Sequence, residues 1–380
     1  MKRKKQIYKK ITDLNVIMTM YDNIIRKNTK NKQKIEEFEN FYSQNMVEIK
    51  DVLASKKYAP NNYSVFLIRE PKLRVIMSQD IKDKIVNHLV AKYLLIDSFD
   101  HMLIDTNIAT RTNKGTHLGL RLLKKYLTIM KNKYDRFYIL KFDISKYFYN
   151  IDHKIVKEKL KNIIKDNDAL NIIYQIVDST NDEYINESIT RLKEKEIDKI
   201  KKMNINDKEQ RIKEVLKIPV YEKDKGLPIG NMTSQVIATF YLNELDHYIK
   251  EKLKLKYYIR YMDDGIILHH DKNYLKSCLI EIETIVSKYN LHLNKKTKIY
   301  SSKEPFDFLG FNFYIRKSLI MKVKNQTKKK FKRKMKKLNY LYKNNMIDYE
   351  KLRCVRDSYI GHLSYGDCKS LIKHNSKTAG

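Results

Sequence analysis

KYYIRYMDDGIILHH, residues 256–270, reads as two short β-rich runs that meet at Asp263-Asp264-Gly265. Tyr and Ile suit strands, and an Asp-Gly pair between two such runs predicts a tight hairpin turn. Two carboxylates therefore stand at a strand junction. On its own an Asp-Asp pair in a turn is ordinary solvated turn chemistry, because Asp is a preferred turn residue. Its meaning depends on what else the chain brings to it.

A second acid comes from FYILKFDIS, residues 137–145, a continuous apolar run of the kind that forms a buried strand and ends at Asp143. Taken alone, Asp143 reads equally well as a helix or turn cap. Joining a nucleoside triphosphate to a 3′-hydroxyl takes two divalent ions about 4 Å apart, held by hard oxygen ligands from different strands. Asp143 and Asp263 meet that requirement. Around them lie further blocks in order: Arg69-Glu70-Pro71-Lys72-Leu73-Arg74, FDISKYF (142–148), GLPIGNMTSQ (226–235), YMDD (261–264), LNKKTK (293–298) and FLGF (308–311).

This ordered series resembles the finger and palm motifs of reverse transcriptases over residues 65 to 315, with YMDD the most specific element. The resemblance implies an α+β right-hand polymerase fold: an antiparallel palm sheet packed on helices, helix-rich fingers and a helical thumb. It implies that Asp143 and Asp263 are the principal ligands of two Mg²⁺ ions, with Mn²⁺ as an alternative. Asp264 supports the site, and the backbone carbonyl of Ile144 completes the coordination. Phe148 matches the aromatic that rejects a ribose 2′-hydroxyl, which implies dNTP use. Arg69, Lys72 and Arg74 match the finger hairpin over the triphosphate, where guanidinium groups suit phosphate oxygens. Lys296 matches a general acid near the leaving pyrophosphate, although Lys295 is adjacent.

Within GLPIGNMTSQ the dNTP-binding positions are Ile229, Gly230 and Gln235. An aliphatic residue, Gly, three residues, then Ser-Gln is similar to the reverse transcriptases of diversity-generating retroelements, which copy a template RNA with errors at adenines. The C-terminal SYIGHLSYGDCKSLIK also resembles the end of such proteins. Standalone bacterial reverse transcriptases of phage defence share the same core, and a catalytically idle RNA-binding protein and an RNA-dependent RNA polymerase are the other readings. Intact acids argue against the idle protein. Phe148 and YMDD argue against the RNA polymerase.

Composition bounds the partners. Lys and Arg total 78 against 45 Asp and Glu, a net charge of +33. Such an excess needs a polyanion, and neutralising phosphates with counterion release makes nucleic acid the first candidate. A codon bias toward Lys, Asn and Ile is the bland reading of part of the lysine excess. Ten of the sixteen residues 322–337 are Lys or Arg, and Lys328, Lys329, Lys330, Lys332, Arg333 and Lys334 are read as contacts to template-primer phosphates, which carry no sequence information. The expected partners are template RNA, primer and cDNA, dNTPs and a small basic accessory protein. No window holds the roughly 18–20 apolar residues of a membrane span, and MKRKKQIYKK has no apolar run behind its charges, so no membrane partner is expected and the location is read as cytoplasmic. The three cysteines lack CxxC spacing, which argues against a zinc site or disulfide framework.

The expected organisation is an N-terminal helical extension (1–57), fingers (58–136), a palm (137–315) with a charged, exposed insertion at 180–217, and a basic helical thumb (316–380). The length leaves no expected room for a nuclease domain. Helices are read at 115–132, 153–178 and 272–289. A further helix is expected to start at Thr233 and Ser234, and the pattern beyond Arg316 reads as helical.

Overall fold

The computed structural model describes residues 4–69 and 73–376. The chain divides into two units, the first made of Met1–Thr110, Ile144–Tyr248 and Ile282–Asn294, the second of Arg111–Asp143, Ile249–Glu281 and Lys295–Gly380. Both mix helices with antiparallel strands.

The first unit is mostly helical. Helices Leu14–Met20 and Tyr42–Ala54 pack with Ile81–Leu89, burying Ile17, Ile49, Leu53 and Ile85. Asp80 caps the last of these by accepting from the Asp83 amide at 2.8 Å. Ahead of it, β1 (Ser64–Ile68) and β2 (Arg74–Ser78) form the expected hairpin, with Ser64 opposite Ser78 and Ile68 opposite Arg74. Lys72 lies outside the described residues.

The charged stretch 180–217 corrects the expectation of an exposed insertion. It forms two helices, Glu183–Lys202 and Lys208–Leu216, whose apolar residues Ile185, Ile189, Ile200 and Val215 are buried in one cluster with Val75 and Met77 of the hairpin. Its charges are the solvated face of a stripe, and the stripe covers the hairpin sheet.

In the second unit β3 (Tyr138–Phe142), β4 (Tyr257–Tyr261), β5 (Asp264–His269) and β6 (Lys298–Ser301) build a sheet in the order β4-β5-β3-β6, all antiparallel. Central β3 buries Ile139, Leu140 and Phe142 completely, as its mostly apolar run predicts, and its one charge, Lys141, is paired with Asp307. Helix Thr116–Lys133 covers β4 and β5 with Leu120, Leu123, Leu127 and Met130, spaced at helical intervals.

A separate three-stranded sheet follows, β7 (Phe306–Phe308), β8 (Phe311–Ile315) and β9 (Leu319–Val323). β9 corrects the reading of everything beyond Arg316 as helical: Met321 and Val323 are buried while Lys322 points out, a period of two. The helices Asn325–Lys343 and Tyr349–Ser364 then pack on each other through Phe331 and Tyr359, whose ring centroids are 5.0 Å apart. No described helix is long and apolar enough to cross a membrane.

Candidate active site

Asp143 is the residue after β3, and Asp263 sits in the turn between β4 and β5. The β3–β5 register pairs Phe142 with Gly265, so one step further along each strand brings Asp143 level with the turn. There the Asp143 and Asp263 carboxyls hydrogen-bond to each other, and Asp263 is pushed up to about 7, first by burial, then by the charge of Asp143 and, less, by that of Asp264. Two adjacent carboxyls, one of them buried, offer the hard oxygen donors that a divalent cation takes.

Asp264 is the first residue of β5, and its charge adds to the upward shift of Asp263. Among the described residues the three-residue set whose ligand atoms all lie within 4.8 Å is instead His153, Asp178 and Asp224, in the first unit. Protein groups already satisfy that set. His153 faces Asp178 Oδ1 at 3.2 Å through Nδ1 and the Gly226 carbonyl at 2.6 Å through Nε2, while Lys157 binds Asp178 Oδ2 at 2.6 Å and Asn181 donates to Asp224 at 2.9 Å. With the Gly226 amide donating to the Ile151 carbonyl and the Leu227 amide to that of Phe148, this cluster fixes the start of the GLPIG loop.

The turn carrying Asp263 corrects the Asp-Gly reading. The connecting residues are Met262 and Asp263, Met262 has φ 55°, and Asp264 and Gly265 already belong to β5. Gly265 is required for packing: a Cβ there would lie 2.1 Å from the ring of Phe142. Sequence reasoning missed Arg260, which is fully buried and donates to the Met262 carbonyl at 2.8 Å, holding the left-handed residue of the turn. An arginine inside the apolar run YYIRY was the available signal, because a buried cation needs a fixed acceptor.

The remaining expected residues lie as follows. Ile144 is buried and bridges to Leu293. Phe148 is half-buried and meets Tyr147 edge-on at 5.9 Å. Arg74 is exposed, and Arg69 is ion-paired with Glu196 of the helical pair. Ile229 accepts from the Met77 amide at 2.8 Å, which ties the GLPIG loop to β2. Gly230 has φ 133°, and a Cβ there would strike the Met77 carbonyl oxygen at 2.5 Å. The adjoining helix begins at Met232, one residue before Thr233 and two before Ser234. Both of these are buried in its first turn, with Thr233 bonded to Asn87 and unavailable as a solvent-facing cap. Gln235 is half-buried on that helix.

In the second unit Lys296 is exposed beyond β5 in the chain, just before β6. Lys329, Lys330, Lys332, Arg333 and Lys334 are exposed on helix Asn325–Lys343, with Lys328 half-buried, while Phe331, Met335 and Leu338 form its buried stripe. Lys322, Lys328, Lys329 and Lys332 line a cleft of about 630 Å³ that also carries Asp367 and Ser370. Four ammonium groups against one carboxylate make it a phosphate-attracting surface.

Comparison with known proteins bears on the same blocks. Residues 68–313 match the family model described as reverse transcriptase (RNA-dependent DNA polymerase). No curated protein matches the sequence. Among solved structures, apo telomerase from Candida tropicalis truncated from its C-terminal domain is similar at 13% identity and a TM-score of 0.44, covering 74% of this chain and 60% of that one. The family match takes in every block from the finger hairpin to FLGF and well over half of the chain, and this protein therefore belongs to the reverse transcriptase family of RNA-directed DNA polymerases.

Proposed function

We propose that this chain extends a primer 3′-hydroxyl with dNTPs on a template RNA as the error-prone enzyme of a diversity-generating retroelement. The observation that carries the chemistry is the contact between the carboxyls of Asp143 and Asp263. Those two acids, supported by Asp264 and the Ile144 carbonyl, would hold Mg²⁺ or Mn²⁺. When bound, the ions supply activation of the attacking oxygen and neutralisation of the triphosphate. Arg69, Lys72 and Arg74 bind the phosphates, Phe148 stands against the sugar 2′ position, and Lys296 gives a proton to the leaving pyrophosphate. The lysines of helix Asn325–Lys343 hold duplex phosphates without reading sequence.

The retroelement reading rests on Ile229 and Gln235. An aliphatic side chain at 229 removes a hydrogen-bonding group beside the templating pair, which loosens the geometric selection of the correct dNTP. A small basic accessory protein is the proposed partner. The test offers the purified protein an RNA template and primer with dNTPs or NTPs, with Asp263→Ala as control, and compares errors opposite template adenine with those of Ile229→Gln. Extension with dNTPs and a several-fold drop in adenine errors in the variant are expected. Extension with NTPs alone would sink the DNA-polymerase reading in favour of an RNA polymerase, extension by neither would sink the enzyme, and unchanged adenine errors would sink the retroelement role.

A further inference from the structure

The helical pair 183–216 and the β1–β2 hairpin share one apolar cluster, with Tyr63 and Val75 of the hairpin region packed among Ile185, Ile189 and Ile200. That packing sets Glu196, in the middle of helix Glu183–Lys202, against Arg69, which directly follows β1. The two ends of the pair differ in access: the Glu196 side chain is 15% exposed and that of Arg69 42%. The acid is sheltered by the helical pair while the guanidinium stays open to a ligand.

A lysine stands beside the acid. One turn before Glu196 on the same helix, Lys193 is destabilised in its charged form by burial and then by Lys146, the third residue after Asp143. Carboxylate and phosphate oxygens are interchangeable partners for a guanidinium, both accepting the same forked pair of N–H bonds. A triphosphate carries more charge than one glutamate and is the stronger competitor for Arg69.

We propose that Glu196 is a positioning residue that holds Arg69 in the empty enzyme and yields it to the incoming triphosphate, so that the helical pair sets dNTP affinity. The inference rests on the reading of Arg69 as a triphosphate ligand. Glu196 acts through Arg69 and has no part in bond making. An exposed or half-exposed ion pair is a modest competitor, so its loss is expected to lower the dNTP KM about 3- to 10-fold.

Steady-state kinetics of the full chain with Glu196→Gln test this, together with inhibition by inorganic tripolyphosphate, which probes the phosphate site without base or sugar. The dNTP KM and the tripolyphosphate inhibition constant are expected to fall together while kcat stays within about twofold. In an Arg69→Gln background the Glu196→Gln change should have no further effect, because the competition is gone. Glu196→Asp keeps the charge with a shorter reach and is expected to fall between, which separates the effect from any loss of folding. If Arg69→Gln raises KM but Glu196→Gln leaves it unchanged or raises it, the inference is overturned and the role of Arg69 stands. If Arg69→Gln leaves both constants unchanged, the triphosphate reading of Arg69 fails and takes the inference with it.

Discussion

Replacing Asp263 with Asn is expected to abolish primer extension and, in metal-free buffer, to make the protein more stable. The first effect follows from removing one of two carboxylates that would hold the ions. Metal stabilisation of transition-state charge is worth several kcal/mol, and each 1.36 kcal/mol is tenfold, so the rate should fall by about 10³-fold or more. The second effect follows from the state of the pair. Burial and the neighbouring Asp143 push Asp263 up to about 7, far above its value in the unfolded chain. A carboxyl whose folded pKa is raised imposes no penalty below the unfolded value, near 4, and an increasing one as pH rises to the folded value, so folding is opposed most above pH 7. Asn keeps the shape and a hydrogen bond without the charge.

The stability gain should be on the order of a few kcal/mol at pH 8, and it should vanish at pH 4. Thermal melting with and without divalent ions checks this. Mg²⁺ should raise the melting temperature of the parent chain, because a cation relieves the same repulsion, and should leave Asp263→Asn almost unmoved. A variant less stable than the parent at pH 8, or equal responses to Mg²⁺, would show that the two acids are not an unrelieved pair. Activity loss alone would not distinguish that case, which is why the melting experiment matters.

The elements that sequence pattern locates best are those whose period is long or whose burial is uniform. Helix Thr116–Lys133 shows its Leu and Met stripe over several turns, and β3 is apolar but for Lys141, so both stand where composition puts them. β9 is different. Only three of its five residues, Met321 to Val323, alternate before a lysine-rich helix begins, too short a run to stand out, and its backbone is fixed by Asp367, which accepts from the Met321 amide at 2.8 Å from 46 residues further on. No local signal reports such a partner.

The same division holds at the site. The three aspartates are conspicuous in the sequence, but that the Asp143 and Asp263 carboxyls meet depends on which strands pair and in what register. Glu196 is one acid in a stretch crowded with charge, and only the burial of Ile185, Ile189 and Ile200 turns it toward Arg69. His153 likewise gains its role from two carbonyl-bearing and acidic neighbours that lie 25 and 73 residues away in the chain.

Gly265→Ala is expected to be the most damaging single-methyl change in the second unit. Gly265 lies between Phe142 of β3 and Arg260 of β4, and both neighbours are fully buried. The Phe142 ring occupies the space a side chain would need, with its nearest atoms 2.1, 2.4 and 2.7 Å from an added Cβ. Overpacking a core typically costs about 1–3 kcal/mol, and this site should reach or exceed the top of that range, because neither the ring nor the paired backbone has room to retreat. Any parting of β5 from β3 also separates Asp263 from Asp143, so activity should fall further than the melting temperature alone implies. Gly361→Ala is the control: it lies exposed in helix Tyr349–Ser364 with nothing within 4 Å of its Cβ, and Ala there should be neutral or stabilise by up to about 1 kcal/mol. Phe142→Leu in the Gly265→Ala background shortens the obstructing side chain and should restore part of both stability and extension. If Gly265→Ala melts like the parent, the ring has another resting place, and the glycine beside the paired aspartates must be explained by the chemistry of the turn instead.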